Sequence, residues 1–298
     1  MNILKSEIED LVQKQFGEKP ISVNAIYQGG MNYVYAIALS NKIVMLKAYP
    51  PSRSNITEFE YNMLREAYDK GVKVPRVISF GKHNVFGFLF YHCIFGNDLI
   101  FEDLSADQRV CFASDLLENI MKFSELESPV FGAIDHKESS YNSWDCFLTD
   151  TIDTGLVNLK SIDVISRGKF QDICSFLKQY RRDFYQPGMA FGDLKSENII
   201  VNEGKLAAIV DLESCFYGDP LISLGYLYAR EGASPFYLST EKIYNKFLNF
   251  QIEDVYFYAL IRLLRISQHL KNPMPTGRAR DPITTYFKGI NNIIKNII

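Results

Sequence analysis

The chain has 298 residues, 47% of them hydrophobic and 22% charged, a balance of soluble globular chains and enough length for one large domain or two lobes. Its formal net charge is −3, so the basic stripe of a nucleic-acid binder is not expected. The five cysteines form no C-x-x-C pair, the four histidines are scattered, and no stretch approaches membrane-spanning length, which excludes a disulfide framework, a histidine metal cluster and a membrane partner from the reading.

The opening MNILKSEIEDLVQKQFG mixes charges early, unlike a signal peptide, and reads as an amphipathic helix over 2–16; a cytoplasmic protein is expected. NYVYAIAL (32–39) and KIVMLKAY (42–49) are β-rich runs joined by Ser40-Asn41, a hairpin pattern. NITEFEYNMLREAYDKG (55–71) reads as a helix with Asn55 or Thr57 as cap and Gly71 as stop. VKVPRVISFG (72–81) and VFGFLFYHCIF (85–95) read as strands. Residues 1–95 thus form a small β-rich lobe with one main helix.

From 96 to 298 the pattern turns helical. Ser105 caps a helix over 106–125, and others fall near 143–151, 167–185, 221–230 and 239–270. In the last, Val255, Ala259, Leu263, Ile266 and Leu270 make one apolar face. IIVN (199–202) and LAAIVDL (206–212) form a second hairpin inside this helical lobe, turned at Glu203-Gly204-Lys205. The whole is an α+β chain of two lobes.

Just before that hairpin the apolar run MAFGDLKSENIIV (189–201) is cut open by Gly192, Asp193, Lys195, Glu197 and Asn198. Polar groups emerging from a core on a rigid scaffold are often functional. Asp211 stands at the far end of the hairpin, which returns the chain beside itself. Asp193, Asn198 and Asp211 therefore share one neighbourhood, and their oxygens suit Mg²⁺, which takes one or two protein ligands and completes its shell with phosphates and water.

The block FGDLKSENIIVNEGKLAAIVDLES (191–214) resembles the protein-kinase-like fold, most closely the aminoglycoside phosphotransferase family of small-molecule kinases. The family loop reads H-G-D-x-x-x-x-N and is followed by a hairpin and an acid. The resemblance implies that Asp193 orients the acceptor hydroxyl and accepts its proton, and that Asn198 and Asp211 hold Mg²⁺ against the phosphates of ATP or GTP. YQGGMNYVYAI (27–37) resembles the phosphate hairpin, with Gly29 and Gly30 at its turn. Lys47 matches the third-strand lysine that contacts the α and β phosphates, and Glu60 the helix glutamate that pairs with it, Glu58 being the alternative. The backbone of His92 and Ile94 matches the hinge that meets adenine. In FYGDP (216–220), Asp219 matches a structural aspartate that braces the catalytic loop. The resemblance covers roughly residues 20–230.

Two departures stand out: Phe191 replaces the family histidine, and the phosphate hairpin is one residue short. Lys195 has the spacing of a lysine that touches the γ-phosphate; a solvated loop lysine is the alternative. Seven residues separate Asp211 from Asp219, too few for the activation segment of a protein kinase, and no A-P-E follows. The implied activity is phosphorylation of a small-molecule hydroxyl on an aminoglycoside-like antibiotic, amino alcohol or sugar, by a monomer or homodimer. A protein kinase and a degenerate nucleotide-binding fold are the alternatives. Glu231, Glu253, Asp254 and Asp281 are candidates to meet a cationic acceptor, with surface solvation as their other reading.

Overall fold

The computed structural model describes residues 3–28, 31–134, 141–161, 165–180, 182, 186–270 and 293. Gly29, Gly30 and Asp281 lie outside these residues, as do the last residues of the helix expected over 167–185.

The first lobe is a five-stranded antiparallel sheet in the order β1-β2-β3-β5-β4, with β1 at Ser22–Gln28, β2 at Tyr33–Ala38, β3 at Ile43–Tyr49, β4 at Val77–His83 and β5 at Phe86–His92. β3 and β5 lie inside the sheet and bury almost every side chain, which is why they read as continuous apolar runs. One face is covered by α1 (Lys5–Phe16), whose Ile8, Leu11 and Val12 join Ile37, Val44, Leu46, Phe86, Phe88 and Phe90 in a core. Each such buried side chain contributes about 1.5–3 kcal/mol relative to exposure. α2 (Ile56–Asp69) packs on β4 and β5 and turns Ile56, Met63, Leu64 and Ala67 into a second core, which continues through the rest of the molecule.

The strand expected over 72–81 begins only at Val77. Residues before it form a clip to the second lobe instead. Lys73 donates its N–H to Asn119 Oδ1 at 2.5 Å and its carbonyl accepts from Ile209 N–H at 2.8 Å. Those backbone groups are thus committed across the lobes. β5 also ends earlier than the run to residue 95 suggested, and β1 was not foreseen.

The second lobe is built on α3 (Ala106–Ser124), α4 (Trp144–Lys160), α5 (Arg167–Gln179), α6 (Ile222–Glu231), α7 (Pro235–Tyr244) and α8 (Ile252–Leu270). The single helix expected over 239–270 is therefore two, α7 and α8. The break coincides with a contact from outside the helix. Asn249's carbonyl is drawn to Arg182 Nη2 at 3.0 Å, and Asp254 caps the new helix by accepting from Gln251 N–H at 2.7 Å. The helix seen in 143–151 runs on to Lys160.

Two small sheets position the polar loops. β9 (Ile199–Asn202) pairs with β10 (Lys205–Ile209), joined by β6 (Asn97–Asp98). β8 (Gly188–Phe191) pairs with β11 (Cys215–Gly218), which also pairs with β7 (Gly132–Ala133). The loop 192–198 thus leaves β8 and enters β9, while 210–214 leaves β10 and enters β11. The two loops are stitched at both ends: Gly192 N–H to Ser214 O at 2.8 Å, and Val210 N–H to Asn198 O at 2.9 Å. A side chain on residue 192 would run into Ser214's carbonyl and hydroxyl, so the glycine there serves a close approach of two backbones.

Candidate active site

Lys47 lies mid-strand in β3 with 7% of its side chain exposed. A buried ammonium must be paired. Its Nζ meets Glu60 Oε2 at 2.8 Å and Oε1 at 3.0 Å, Asp211 Oδ1 at 2.5 Å, and Glu213 Oε2 at 3.2 Å. Glu58, the alternative partner, is exposed on the other side of α2. Tyr49, two residues along the same strand face, donates its hydroxyl to Glu60.

Glu213 ties the cluster further. It accepts from Asn32 Nδ2 at 2.6 Å, just before β2, and pairs with Arg53 Nη2 at 2.9 Å in the short turn Pro51–Arg53. Three carboxylates thus face two cations, Lys47 and Arg53, and the cluster carries one excess negative charge when all are ionised. Burial, reinforced by Asp211 and Glu213, pushes the Glu60 carboxyl up to about 7 against the pull of Lys47. Burial alone would pull the Lys47 ammonium down, but Asp211, Glu213 and Glu60 hold it well above the usual lysine value. For Asp211 burial pushes upward too, yet the Lys47 ammonium wins and its carboxyl sits below the usual range.

Asp211 has a positive φ of 68°, a left-handed conformation that costs a non-glycine residue of order 1 kcal/mol and collects at functional sites. It keeps 32% of its side chain exposed, the open mouth of the cluster. Oxygen atoms from Glu60, Asp211 and Glu213 lie within 4.8 Å of one another around the Lys47 ammonium, and Asp211, the most exposed of the three, is an oxygen donor of the kind a hard divalent cation takes.

On the neighbouring loop, Asp193 is held by three groups. Asn198 Nδ2 donates to its carbonyl at 2.8 Å and to Oδ2 at 3.2 Å. Lys195 Nζ lies 2.8 Å from Oδ2, so this lysine is not simply a solvated loop residue. Burial would lower the Lys195 ammonium, but Asp193 raises it overall. Arg262 of α8 reaches Oδ1 at 3.5 Å. Since Asn198 directs its amide nitrogen at Asp193, the amide oxygen is the atom it has to offer a cation.

Phe191 is buried and stacks on Phe123 of α3, with ring centroids 4.0 Å apart and planes 13° from parallel. A ring fills the place of the family histidine by packing. His92 closes β5 with its N–H on the Arg76 carbonyl at 2.9 Å, and Ile94 follows two residues later. Asp219 is fully buried: it accepts from Arg182 Nε at 2.6 Å, Tyr258 hydroxyl at 2.9 Å and Leu221 N–H at 3.0 Å. It braces α6 and α8 to each other, not the catalytic loop directly. Of the acids considered for a cationic acceptor, Glu231 accepts from Ser196 N–H at 3.1 Å, Ser196 Oγ at 2.9 Å and Ser234 Oγ at 2.9 Å. Asp254 is buried on Arg182, Tyr180 and Gln251, and Glu253 is exposed at the start of α8.

The residues the sequence reading missed are Asn32, Tyr49, Arg53, Glu213 and Arg262. Tyr49 was findable as the same-face neighbour of Lys47. Arg262 was findable as the charge that interrupts the apolar stretch 255–264. Among the described residues no helix is long and apolar enough to cross a membrane.

The sequence matches the family model described as the phosphotransferase enzyme family (APH) over residues 22–246. The fold is similar to the aminoglycoside phosphotransferase APH(4)-Ia, at TM-score 0.71 and 13% identity over 98% of this chain and 99% of that one. A thermostable mutant of the same protein, in ternary complex with AMP-PNP and hygromycin B, gives TM-score 0.70 at 13% identity over 97% of this chain and 98% of that one. The spectinomycin phosphotransferase APH(9)-Ia, in complex with ADP and spectinomycin, gives 0.66 at 14% identity over 100% of this chain and 98% of that one. A curated relative from Staphylococcus aureus, described as an uncharacterized protein in the ileS 3′ region, is 35% identical over 54 residues, 18% of this chain; the match spans 41% of that protein's length. With a two-lobed architecture, a lysine–glutamate pair at the lobe seam and a family match spanning most of its length, the chain belongs to the phosphotransferase enzyme family.

Proposed function

We propose that the protein transfers the γ-phosphoryl group of ATP or GTP to a hydroxyl of a small molecule. The observation that carries this reading is the juxtaposition of two differently built clusters: Lys47 held by Glu60 and opening at Asp211, and Asp193 held by Asn198 and Lys195 on the adjoining loop.

Lys47, fixed by Glu60, presents its charge to the α and β phosphates, with Gly29 and Gly30 in the chain between β1 and β2 as the phosphate hairpin. The backbone at His92 and Ile94 faces the adenine; the His92 N–H is already taken, so that contact falls to its carbonyl. Asn198 and Asp211 would hold Mg²⁺, which when bound offsets the phosphate charge that the excess anion of the cluster would otherwise repel. Before that, Asp211 must exchange its contact with Lys47 for the incoming ligands.

Asp193 accepts the proton of the acceptor hydroxyl as that oxygen bonds to the γ-phosphorus. The bond from that phosphorus to the β–γ bridging oxygen breaks, and the nucleoside diphosphate leaves. Lys195 lies beside Asp193 where the transferred group passes. The work asked of the protein is positioning and electrostatic. A peptide acceptor is disfavoured by the short segment between Asp211 and Asp219, which has no room for a docking platform.

The test is steady-state kinetics on an acceptor found by coupled ADP release over aminoglycosides, amino alcohols, sugars and sugar acids. Asp193→Asn lowers kcat by about 10²–10⁴-fold, the range of general-base catalysis, with nucleotide affinity by calorimetry little changed. Full turnover in Asp193→Asn would remove the catalytic reading of this loop.

A further inference from the structure

The two oxygens of Asp193 look to different parts of the molecule. Oδ2 is held by Asn198 and Lys195, residues of its own loop that the proposed reaction places on the phosphate side. Oδ1 faces Arg262, from the middle of α8. The acceptor hydroxyl must approach Asp193 from the side away from the nucleotide, where Oδ1 meets the Arg262 guanidinium.

Arg262 is conspicuous by its setting. Residues 254–261 and 263–264 of α8 are all buried, and Arg262 alone in that stretch is half-buried, with 19% of its side chain exposed. A charge in the middle of a buried helix is costly unless it is paired. Its guanidinium lies 4.9 Å over the Tyr226 ring of α6, a contact that fixes the plane of the fork. The next arginine on that face, Arg265, sits between the rings of Phe147 and Phe216 at 5.6 Å and 5.0 Å and is taken up by packing. So the helix carries one packed arginine and one turned to the catalytic loop.

Of the candidate acids among the described residues, each is engaged elsewhere or distant. Glu231 is bound by Ser196 and Ser234, Glu197 pairs with Arg230 at 3.3 Å, and Asp254 is sealed against Arg182. Glu253 stands nine residues before Arg262, about 13 Å away along the helix axis. Glu231 keeps its charge, but its oxygens are taken by loop and helix donors, whereas the Arg262 guanidinium lies directly on Asp193 Oδ1 at 3.5 Å. A guanidinium presents parallel N–H donors that match a carboxylate or phosphate in two-point contact.

Resting on the kinase reading above, we propose that the acceptor is an anionic hydroxyl compound, one bearing a carboxylate or phosphate, and that Arg262 binds that anion and so fixes which hydroxyl meets Asp193. Arrival of the acceptor anion draws the guanidinium off Asp193 Oδ1, which leaves that oxygen to take the hydroxyl proton. The same arginine then both selects the acceptor and releases the base.

The experiment uses the full chain with MgATP and matched acceptor pairs: gluconate against glucose, glycerate and glycerol phosphate against glycerol, and choline and hygromycin B as cationic members. Binding is read by calorimetry with Mg·AMP-PNP, turnover by ADP release. The wild type is expected to bind and phosphorylate an anionic member in preference to its neutral counterpart. Arg262→Gln is expected to raise KM for that anionic acceptor roughly 10–100-fold, the worth of a charged hydrogen-bonded contact, with a much smaller change in kcat. Arg262→Lys recovers part of the affinity.

An arginine that merely positions Asp193 would lower kcat for every acceptor alike, and that pattern overturns the proposal. So does a wild type that binds no anionic member, or that uses only neutral or cationic ones. The kinase reading is judged separately, on whether wild-type protein is stabilised by MgATP and releases ADP with any acceptor. It survives those failures and falls only if neither is seen.

Discussion

Two ion clusters, each pairing carboxylates with basic side chains, meet opposite fates in this molecule. In one, Arg182 joins Asp219 and Asp254; in the other, Lys47 and Arg53 join Glu60, Asp211 and Glu213. Each carries one excess negative charge if fully ionised. In the first, the carboxylate oxygens are also met by the hydroxyls of Tyr180 and Tyr258 and the N–H groups of Leu221 and Gln251, and Asp219 is 0% exposed. In the second, Asp211 is open to solvent and in a strained backbone conformation. A cluster whose acids are saturated by donors holds elements together. The second cluster leaves Asp211 at an open mouth, which is where we propose that a cation and its ligands enter.

Paired substitutions in the two clusters should have different effects. Asp219→Ala leaves the Arg182 guanidinium and the Tyr258 hydroxyl facing an empty place, and should cost about 3–5 kcal/mol, a fall in Tm on the order of 10 °C. Lys47→Met should lower Tm by less, because Glu60 can neutralise itself by taking a proton and the mouth admits water. Its penalty should instead appear in kcat, roughly 10²–10³-fold, as for loss of one preorganised charge donor. Thermal unfolding of both variants together with ADP-release kinetics checks this. Equal losses of stability would show that the two clusters do the same structural work.

A smaller effect separates the clusters by pH. Glu60 in the folded chain has its pKa near 7, above its ordinary value, so between about 4.5 and 7 the folded state holds a proton that the unfolded state releases. The stabilisation is full below about pH 4.5 and is lost as pH rises through 7. Asp211, held low, contributes in the opposite sense and only at lower pH: its stabilisation is present above its unfolded value and disappears as pH falls through its folded one. Ligand-free Tm followed across pH 4.5–7.5 should therefore decline more steeply with rising pH in wild type than in Glu60→Gln. Superimposable profiles would place the proton elsewhere.

The sequence made the catalytic loop and its hairpin more legible than either ion cluster. Asp193, Asn198 and Asp211 lie within one hairpin, so their spacing in the chain fixes their meeting in space. Lys47 and Glu60 came only from the family resemblance, and the structure brings their side chains together. Glu213 was not singled out although it lies two residues after Asp211, because its partners are far away in the chain: Asn32 is 181 residues distant, and only the closure of one lobe on the other pairs them. Arg182 was equally silent, since its partner Asp254 is 72 residues away. The expected single helix over 239–270 fails in a similar way: the apolar period continues across the break, where Arg182 takes the Asn249 carbonyl. Periodicity records which face is buried; it does not record a distant donor pulling on one carbonyl. Phe191 is the converse case. The residue departs from the family pattern, and its stack on Phe123 shows a packing role that needs no imidazole.

On the reading proposed above, the open cluster is a magnesium–nucleotide site with Asp211 as a metal ligand. The most direct measurement is the thermal stabilisation of wild type and Asp211→Asn by ATP, with and without Mg²⁺, over a range of nucleotide concentrations, since a ligand bound only by the native state raises its stability in proportion to the logarithm of its concentration. A magnesium-dependent rise is expected in wild type and lost in Asp211→Asn, while any metal-independent part through Lys47 remains. A magnesium-dependent shift of the same size in Asp211→Asn, or none in wild type, would contradict it.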